Sequence, residues 1–386
     1  MSPPLKVIQF TVSAGGVKKH LVDLVSNLDR SRFEVVGLFP HKLLWDKVFS
    51  LESEKYKDIF QQLGLPYHLL ETPRGLNPPR DLISLLKLIR IIRREKPDVL
   101  HTHSSKAGAI GRLAGWLCRV PLILYTPHCM YYQLAAGWKR RLFFWIEKAL
   151  AGLGHYLIAV SPSEYEELAR DFGKQRVILI PNGLDLDSIH VPPGAKAALW
   201  ASLKLKETDK IVLSVTRLSP QKDVLTLLKA AEVLKKDLPE AVFLIAGDGE
   251  LAEELKAYAQ QAGLETTVRF LGWREDVYAL LDLCQVKVLT SLAEGLPYAV
   301  LEASALAKPV IGAGSTGLRD CIVPGRTGFL FPPGDYLTLA RYIKNILLDP
   351  DLAVSLGRNG RGFVEEKFSL KAMIRKTEEL YAQIAS

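Results

Sequence analysis

Two glutamates lie on either side of the pair Gly295 and Pro297 in SLAEGLPYAVLEASALAKPVIG, residues 291–312. Pro297 suits the first turn of a helix, so Glu294 would lie in the preceding loop and Glu302 about a turn and a half inside. The helix start offers N–H groups to phosphate or sugar oxygens, and each carboxylate can accept from hydroxyls. The pattern favours a site for a polyhydroxylated anion, with a general acid and base pair as the alternative.

Two cations lie in SVTRLSPQKD, residues 214–223. Arg217 follows a strand-like run and Lys222 precedes a helical one, which places both at one edge of a sheet. A guanidinium fork beside an ammonium point charge suits a diphosphate. Either cation alone would more often be a solvated surface residue, and their shared placement is what favours binding.

Polar residues also follow the strand-like runs of the first half of the chain. They are Ser13, Gly15, Gly16, His103, His128 and Asn182. The two glycines permit a ligand to approach the backbone at the start of a helix, although a tight turn would use them equally well. His128 follows Thr126 and Pro127, where the chain leaves the sheet, and this position favours contact with a substrate. A zinc site would need further ligands, so we expect no metal.

Apolar runs that alternate with amphipathic stretches are typical of βαβ units around a parallel sheet. One series of such runs lies before residue 187, and a second series begins after residue 208. This predicts an α/β fold with two doubly wound, Rossmann-like domains. Ligands bind beyond the carboxyl ends of such strands, and two domains facing each other there would form a cleft. The spacing G-x-G-x-x-G at Gly312, Gly314 and Gly317 suggests a dinucleotide site, but Pro324 cuts short the helix that an NAD-dependent dehydrogenase needs.

The chain has 386 residues, of which 48% are hydrophobic and 24% charged, as in an ordered globular protein. It contains no apolar stretch of the roughly 20 residues that span a bilayer, no signal-peptide core and no C-x-x-C spacing, so we expect a cytoplasmic protein. The net charge of +8 lies in residues 1–190, and residues 74–141 hold 13 basic and 3 acidic side chains. This asymmetry predicts an anionic partner. Without a nucleic-acid-binding motif, a membrane surface is favoured over nucleic acid.

The sequence resembles the retaining glycosyltransferases of family 4, which have the GT-B fold, over nearly its whole length. The most specific element is EGLPYAVLE, an E-x7-E motif. It is accompanied, in order along the chain, by GGVKKH, TPH, AVSPSE, PNGLD, TRLSPQKD, AGDGEL and FLGWREDV.

The resemblance implies a role for each candidate residue. Arg217 and Lys222 would bind the diphosphate of a nucleotide sugar, and Glu302 would hold the ribose hydroxyls. Glu294 and His128 would contact the transferred sugar as the catalytic pair. Other contacts would come from Gly15 and Gly16 near the phosphate, Trp273 and Arg274 beside the base, and Ser13, His103 and Asn182 in the acceptor cleft. The family needs neither a metal ion nor another cofactor.

The resemblance also implies a domain plan and a function. Residues 1–187 with 370–386 would form the acceptor-binding domain, completed by a returning C-terminal helix, and residues 188–369 the donor-binding domain. The stretches HTHSSKAGAIGRLAG and YTPH are similar to the branch that builds exopolysaccharide and lipid-linked glycans. We expect transfer from a nucleotide-diphosphate sugar, with UDP favoured, on the inner face of the cell membrane. A soluble sugar-phosphate or glucan synthase and a non-catalytic nucleotide-sugar-binding protein are the alternatives.

Overall fold

The computed structural model describes residues 3–13, 15–40, 47–72 and 77–384, with side chains of the second helix from residue 54 onward. The chain divides into two compact units. One consists of Met1–Gly183 and Leu370–Ser386, and the other of Leu184–Ser369. The first unit therefore ends at Gly183, where the sequence placed the boundary at residue 187. Each unit is built on a parallel sheet, in agreement with the predicted α/β class.

The first unit contains a parallel sheet whose strands are β1 (Leu5–Thr11), β2 (Phe33–Pro40), β3 (Tyr67–Leu70), β4 (Val99–His103), β5 (Leu122–Thr126), β6 (Tyr156–Ala159) and β7 (Val177–Leu179). Their order is β3-β2-β1-β4-β5-β6-β7. Every residue of β4 and β5 is buried, because helices cover both faces of the sheet. The apolar runs LKVIQFTV, EVVGLF, DVLHTH, LILYTPH, YLIAVS and VILIPN predict these strands except β3, a four-residue edge strand with only one buried residue.

The helices of the first unit are α1 (Gly16–Asn27), α2 (Lys47–Gln62), α3 (Pro78–Glu95), α4 (Ser105–Leu117), α5 (Tyr131–Leu134), α6 (Gly137–Ala151) and α7 (Pro162–Phe172). Local sequence fixes their starts. Asn77 caps α3 by accepting from the Arg80 N–H, and Ser161 caps α7 by accepting from the Glu164 N–H. A proline follows each cap at the first helical position, which its fixed φ favours.

Glycines bring α4 close to the sheet. A Cβ on Gly108 would lie 2.3 Å from Cε2 of Tyr125, and one on Gly111 would lie 2.3 Å from Cγ2 of Thr102. Any larger side chain at either position would push α4 away from β4 and β5. The chain that leaves the carboxyl ends of these two strands therefore has a closely packed support.

The second unit contains a parallel sheet of β8 (Lys210–Val215), β9 (Ala241–Ala246), β10 (Val268–Gly272), β11 (Val286–Leu289), β12 (Val310–Ala313) and β13 (Gly328–Phe331), in the order β10-β9-β8-β11-β12-β13. Its helices are α8 (Ala195–Ser202), α9 (Val224–Leu234), α10 (Ala252–Gln261), α11 (Val277–Leu283), α12 (Tyr298–Ala305), α13 (Leu318–Cys321), α14 (Tyr336–Leu348) and α15 (Pro350–Lys367). The apolar runs KIVLSVTRL, VFLIAGDG, VRFLGW, VKVLTS and PVIGAG predict β8 to β12, and no run predicts β13. The helix after Gly317 has only four residues, which disfavours the dinucleotide alternative.

The last helix, α16 (Leu370–Ala382), belongs to the first unit. Met373, Ile374 and Tyr381 are buried in the same apolar cluster as Leu21 and Leu24 of α1. Glu378 accepts a hydrogen bond of 2.8 Å from the backbone N–H of Asp29. The chain thus completes the core of its first unit with its final helix.

A search of the helices in the described residues finds none that is both long enough and apolar enough to cross a membrane.

Candidate functional site

Four histidines lie together in the first unit. His101 and His103 are in β4, His128 comes two residues after β5, and His20 is on α1. Because β4 lies between β1 and β5, the carboxyl ends of adjacent strands bring these rings to one edge of the sheet. The ring centroid of His20 lies 5.4 Å from that of His103 and 4.7 Å from that of His128.

Hydrogen bonds order the rings of this cluster. His103 Nδ1 lies 3.2 Å from His128 Nε2, and His103 Nε2 lies 2.9 Å from Gln9 Oε1. The Gln9 amide donates to the Tyr381 hydroxyl at 2.7 Å, and that hydroxyl lies 2.7 Å from Nδ1 of His101. The network therefore connects α16 to the end of β4, and it holds His103 beside His128.

Burial keeps these imidazoles neutral. It lowers the pKa of His20 to about 4, against a hydrogen bond with Asn182 that acts in the opposite direction. Burial also lowers the pKa of His101, His103 and His128 well below the ordinary value, and neighbouring imidazoles add to the effect. The rings can therefore donate or accept single protons in hydrogen bonds without carrying a charge at neutral pH.

The turn after β5 has an unusual backbone. His128 has φ of 56° and Cys129 has φ of 106°, values that side chains with a Cβ rarely adopt. Glu164, which is buried, holds this turn: its Oε1 accepts from the Cys129 N–H at 2.9 Å and its Oε2 from the Val160 N–H at 2.7 Å. Such strain persists where surrounding contacts over-determine it, often at functional sites.

The other candidates of the first unit lie near the same sheet edge. Asn182 is buried, and its Oδ1 lies 2.9 Å from Nδ1 of His20. Gly15 has φ of 65° and precedes α1, which begins at Gly16, and a Cβ on Gly15 would meet no atom within 4 Å. Ser13 follows β1, and its carbonyl accepts from the Tyr56 hydroxyl at 2.9 Å. The backbone at the start of α1 is thus open to a ligand, as a phosphate-binding turn requires.

In the second unit, an ion pair joins two of the predicted residues. The Lys222 ammonium donates to Oε1 of Glu294, and the Lys222 carbonyl accepts from Thr290 Oγ1 at 2.7 Å. The neighbouring Gln221 amide donates to the Ala293 carbonyl at 2.7 Å. Backbone and side-chain bonds therefore hold the loop after β8 against the loop after β11, with the ammonium and the carboxylate in contact.

The helix between the two glutamates begins where the proline predicts. Pro297 is the N-cap of α12, Glu294 lies in the loop before it, and Glu302 lies on the helix, five residues beyond the cap. Glu302 is 9% exposed, and its Oε1 accepts a long hydrogen bond of 3.3 Å from the Tyr278 hydroxyl. The two carboxylates therefore have separate surroundings: Glu294 faces a cation and Glu302 a phenol.

Three further candidates lie outside the Lys222–Glu294 contact. Arg217 forms an ion pair of 2.8 Å with Glu250 at the protein surface. Arg274 pairs with Asp276, two residues further along the chain. Trp273 is half exposed, directly after β10. The structure places all three after the carboxyl ends of strands, and the guanidinium groups of Arg217 and Arg274 already have carboxylate partners.

The glycine-rich turn after β12 packs on the E-x7-E loop. A Cβ on Gly317, which has φ of 76°, would lie 2.3 Å from the Gly295 carbonyl oxygen and 2.8 Å from that of Glu294. Ser315 Oγ also donates to the Ser291 carbonyl at 2.8 Å. Gly317 therefore permits close packing against the loop that carries Glu294.

Sequence reasoning missed several residues of these sites. Glu164 is the last residue of the motif AVSPSE, but its bond to the Cys129 N–H joins residues 35 apart and was not predicted. Gln9 and Tyr381 act through hydrogen bonds that no spacing along the chain reveals. Lys287, a fully buried lysine in β11, has its Nζ 3.2 Å from the Val288 carbonyl oxygen. Burial lowers the pKa of Lys287 to about 7. In the sequence, Lys287 is visible only as a lysine inside the apolar run VKVL.

Two family models match the chain, one for each unit. Residues 15–183 match the model described as glycosyl transferase 4-like domain, and residues 196–363 match the model described as glycosyl transferases group 1.

Two curated relatives are similar over nearly the full length. An Escherichia coli UDP-Gal:alpha-D-GlcNAc-diphosphoundecaprenol alpha-1,3-galactosyltransferase is 29% identical, over 94% of this chain and 95% of its own. The Staphylococcus aureus capsular polysaccharide biosynthesis glycosyltransferase CapM is 25% identical, over 94% of this chain and 96% of its own. Among solved structures, Anabaena HepE in complex with UDP and glucose superposes with a TM-score of 0.83. It is 21% identical, and the match covers 98% of this chain and 99% of HepE, a likeness that shows the fold.

Proposed function

Because the chain belongs to the family 4 glycosyltransferases of the GT-B fold, we propose that it transfers a sugar, with retention of anomeric configuration, from a nucleotide-diphosphate sugar. The donor base we favour is uracil, and the acceptor we favour is a lipid-linked or other glycan of cell-surface polysaccharide synthesis. The names of the Escherichia coli and Staphylococcus aureus relatives support this acceptor, and the UDP in HepE supports the base.

The observation that carries the proposal is the ion pair between Lys222 and Glu294 in front of α12. The start of that helix offers N–H groups to an anion, and the ammonium lies beside it as a second positive group. When a diphosphate takes Lys222 as its partner, the Glu294 carboxylate is released to accept from hydroxyls of the sugar. Glu302, further along the same helix, accepts from the ribose hydroxyls.

The proposed transfer reaction mainly requires stabilisation of the negative charge on the leaving diphosphate. Lys222 and the start of α12 supply positive charge there, and Arg217 joins them when it leaves Glu250. In this proposal the acceptor attacks from the face that the diphosphate leaves, and a leaving phosphate oxygen takes the acceptor proton. These groups are positive without a bound cation, so we propose that the reaction uses no metal cofactor.

The remaining residues bind the substrates. His128 contacts the transferred sugar, and its strained turn sets the direction of the ring. Gly15 and Gly16 lie against the phosphates, and Trp273 and Arg274 flank the base. Ser13, His103 and Asn182 line the acceptor side of the first unit.

A transfer assay with matched variants tests this function. The full chain is incubated with UDP- and GDP-sugars and an N-acetylglucosamine diphosphate-lipid, and the anomeric configuration of the product is read by NMR. Glu294→Gln should lower kcat by about 100-fold or more, because it removes a group held in place for the reacting sugar. Glu265→Gln, an exposed glutamate of the second unit, is the matched control and should keep activity. Absence of transfer from every donor, or equal rates in both variants, would contradict the proposal.

A peripheral position on the inner face of the membrane forms part of the proposal. Helix α6 exposes Trp138 by 70% and Trp145 by 64%, with Leu142 between them. These side chains follow the helical spacing of one face, beside Lys139 and Arg140. Indole rings favour the headgroup region, and each basic residue near an anionic leaflet contributes about 1 kcal/mol.

Two neighbouring helices also expose apolar side chains. Helix α4 packs against both α3 and α6. Leu82 and Leu86 of α3 and Trp116 of α4 are also exposed, in the segment whose charge is strongly basic. Exposed apolar side chains beside a basic surface match an anionic lipid leaflet better than water.

Vesicle flotation separates this position from the soluble-synthase alternative. The wild-type chain should float with anionic vesicles at low salt and less with neutral vesicles. The double variant Trp138→Ser and Trp145→Ser should float less, whereas the control Leu337→Ser and Val354→Ser changes exposed apolar residues of the second unit and should float as wild type does. Wild-type protein that stays in the soluble fraction with anionic vesicles would favour a soluble synthase.

A further inference from the structure

Three of the four clustered histidines have the arrangement of a metal site. One ligand atom from each of His20, His103 and His128 lies within 4.8 Å of the other two. We propose that these three side chains bind one divalent transition-metal ion of the zinc class, and that the bound ion inhibits sugar transfer. The ion is a regulator of the site in this proposal, not a cofactor of the reaction.

The hydrogen bond of His20 leaves a nitrogen lone pair available. Its Nδ1 lies 2.9 Å from Asn182 Oδ1, an amide oxygen that can only accept, so Nδ1 carries the proton. Nε2 of the same ring is then unprotonated. Metal-bound histidines commonly donate their other N–H to a carbonyl or carboxylate oxygen, which is the role Asn182 has here.

The same reasoning applies to His103. The Gln9 amide nitrogen donates to the Tyr381 hydroxyl, so the Gln9 oxygen faces Nε2 of His103 and accepts from it at 2.9 Å. Nδ1 of His103 is then unprotonated, and it is directed at Nε2 of His128. Two second-layer amides thus fix two imidazoles in the tautomers that a metal needs.

The distances suit a tetrahedral ion with one open position. Two nitrogens bound to one Zn²⁺ at roughly 2.0–2.1 Å lie about 3.3 Å apart, and His103 Nδ1 is 3.2 Å from His128 Nε2. The three ligand atoms lie within 4.8 Å of one another, so no pair would have to approach by more than about 1.5 Å to complete the set. Three neutral imidazoles favour zinc, copper, nickel or cobalt over magnesium or calcium, which prefer oxygen ligands.

Inhibition follows because the ion would bind His128, and this step rests on the proposed function. His128 is the ring assigned to the transferred sugar, and a ring held on a metal cannot donate from the same nitrogen to a hydroxyl. An ion at this position would also place a positive charge at the sheet edge where the substrates meet the first unit. Transfer should therefore fall when zinc is added and recover with a chelator, the opposite of a metal-dependent enzyme.

Cobalt binding tests the site without relying on activity. The full chain is dialysed against chelator and titrated with Co²⁺, whose four-coordinate complexes absorb strongly in the visible range. We expect the wild-type chain to bind one Co²⁺ ion, which Zn²⁺ displaces. The affinity for Co²⁺ should be at least about 100-fold lower in His20→Gln and in His128→Gln. Asn182→Ala should lower affinity by about 10-fold to 100-fold through the second layer. His190→Gln, an exposed histidine of the second unit, should bind as wild type does.

Each result decides the matter. No visible bands in the wild-type chain, or unchanged bands in both His20→Gln and His128→Gln with a native circular dichroism spectrum, would overturn the site. Stoichiometric binding with no effect of Zn²⁺ on transfer would overturn the inhibition. A chain that binds Co²⁺ but transfers no sugar from any donor would refute the proposed function while leaving the metal site established.

Discussion

The buried lysine of the second sheet makes the stability of the protein depend on pH in a calculable way. Lys287 is fully buried in β11, and burial lowers its pKa from 10.5 to about 7. Between those values the unfolded chain binds a proton that the folded chain does not bind. The free energy of unfolding therefore rises with pH across this window. The stability gained from the neutral lysine is lost as the pH falls towards 7.

The size of the effect follows from the two pKa values. One pKa unit corresponds to about 1.4 kcal/mol, so a neutral isostere should be more stable than the lysine by about 5 kcal/mol at acidic pH. Between pH 7 and pH 9 the lysine should raise the free energy of unfolding by about 2 kcal/mol. Lys287→Met keeps the length of the side chain and removes the titrating group, so it should abolish this rise.

Urea unfolding of the full chain at pH 7, 8 and 9 measures the difference between wild type and variant. The unfolding transition of the wild-type second unit should move to higher urea as the pH rises, and the transition of Lys287→Met should move less. Lys206→Met, the same substitution at an exposed lysine of that unit, should keep the wild-type pH dependence. Parallel curves for wild type and Lys287→Met would show that the lysine keeps its charge in the folded state, and would refute the reasoning.

Three other substitutions test the supports of the two sites. Glu164→Gln leaves one of two buried backbone N–H groups without its acceptor, so kcat should fall roughly 10-fold to 100-fold in the transfer assay, and an unchanged kcat would contradict its positioning role. Gly317→Ala forces a Cβ against the Gly295 carbonyl at positive φ; the melting temperature should fall, and an unchanged value would mean that the loop can move. Glu147→Ala leaves the buried Arg112 guanidinium without the carboxylate that lies 2.5 Å away, which should cost about 3–5 kcal/mol in denaturant unfolding, against little loss for the exposed Glu265→Ala.

The sequence predicted most of the sheet because long buried strands are nearly continuous apolar runs. β3 (YHLL) and β13 (GFLF) were not predicted, because a histidine interrupts the first strand and a glycine begins the second, which leaves apolar runs of only two and three residues. The positions of Glu294 and Glu302 relative to the start of α12 were predictable, since Pro297 marks a helix boundary locally. Both glutamates therefore lie where the sequence placed them, while their roles stay predictions.

The partners of the site residues were not predictable, because they come from distant parts of the chain. Lys222 and Glu294 are 72 residues apart, and their ion pair depends on the order of β8 and β11 in the sheet. His20 and Asn182 are 162 residues apart, and no local pattern links them. The sequence showed His101, His103 and His128 around two strands, but no local pattern brought His20 to them, and we expected no metal.

The position of α16 has a consequence for how the protein is made. The Tyr381 hydroxyl accepts from the Gln9 amide and lies 2.7 Å from Nδ1 of His101, and α16 fills part of the core that α1 and the first sheet share. During synthesis, the second unit leaves the ribosome before this helix is available. The first unit therefore keeps an open hydrophobic face until α16 emerges. A chaperone that shields that face, or slow translation of the final helix, would then control the yield of native enzyme.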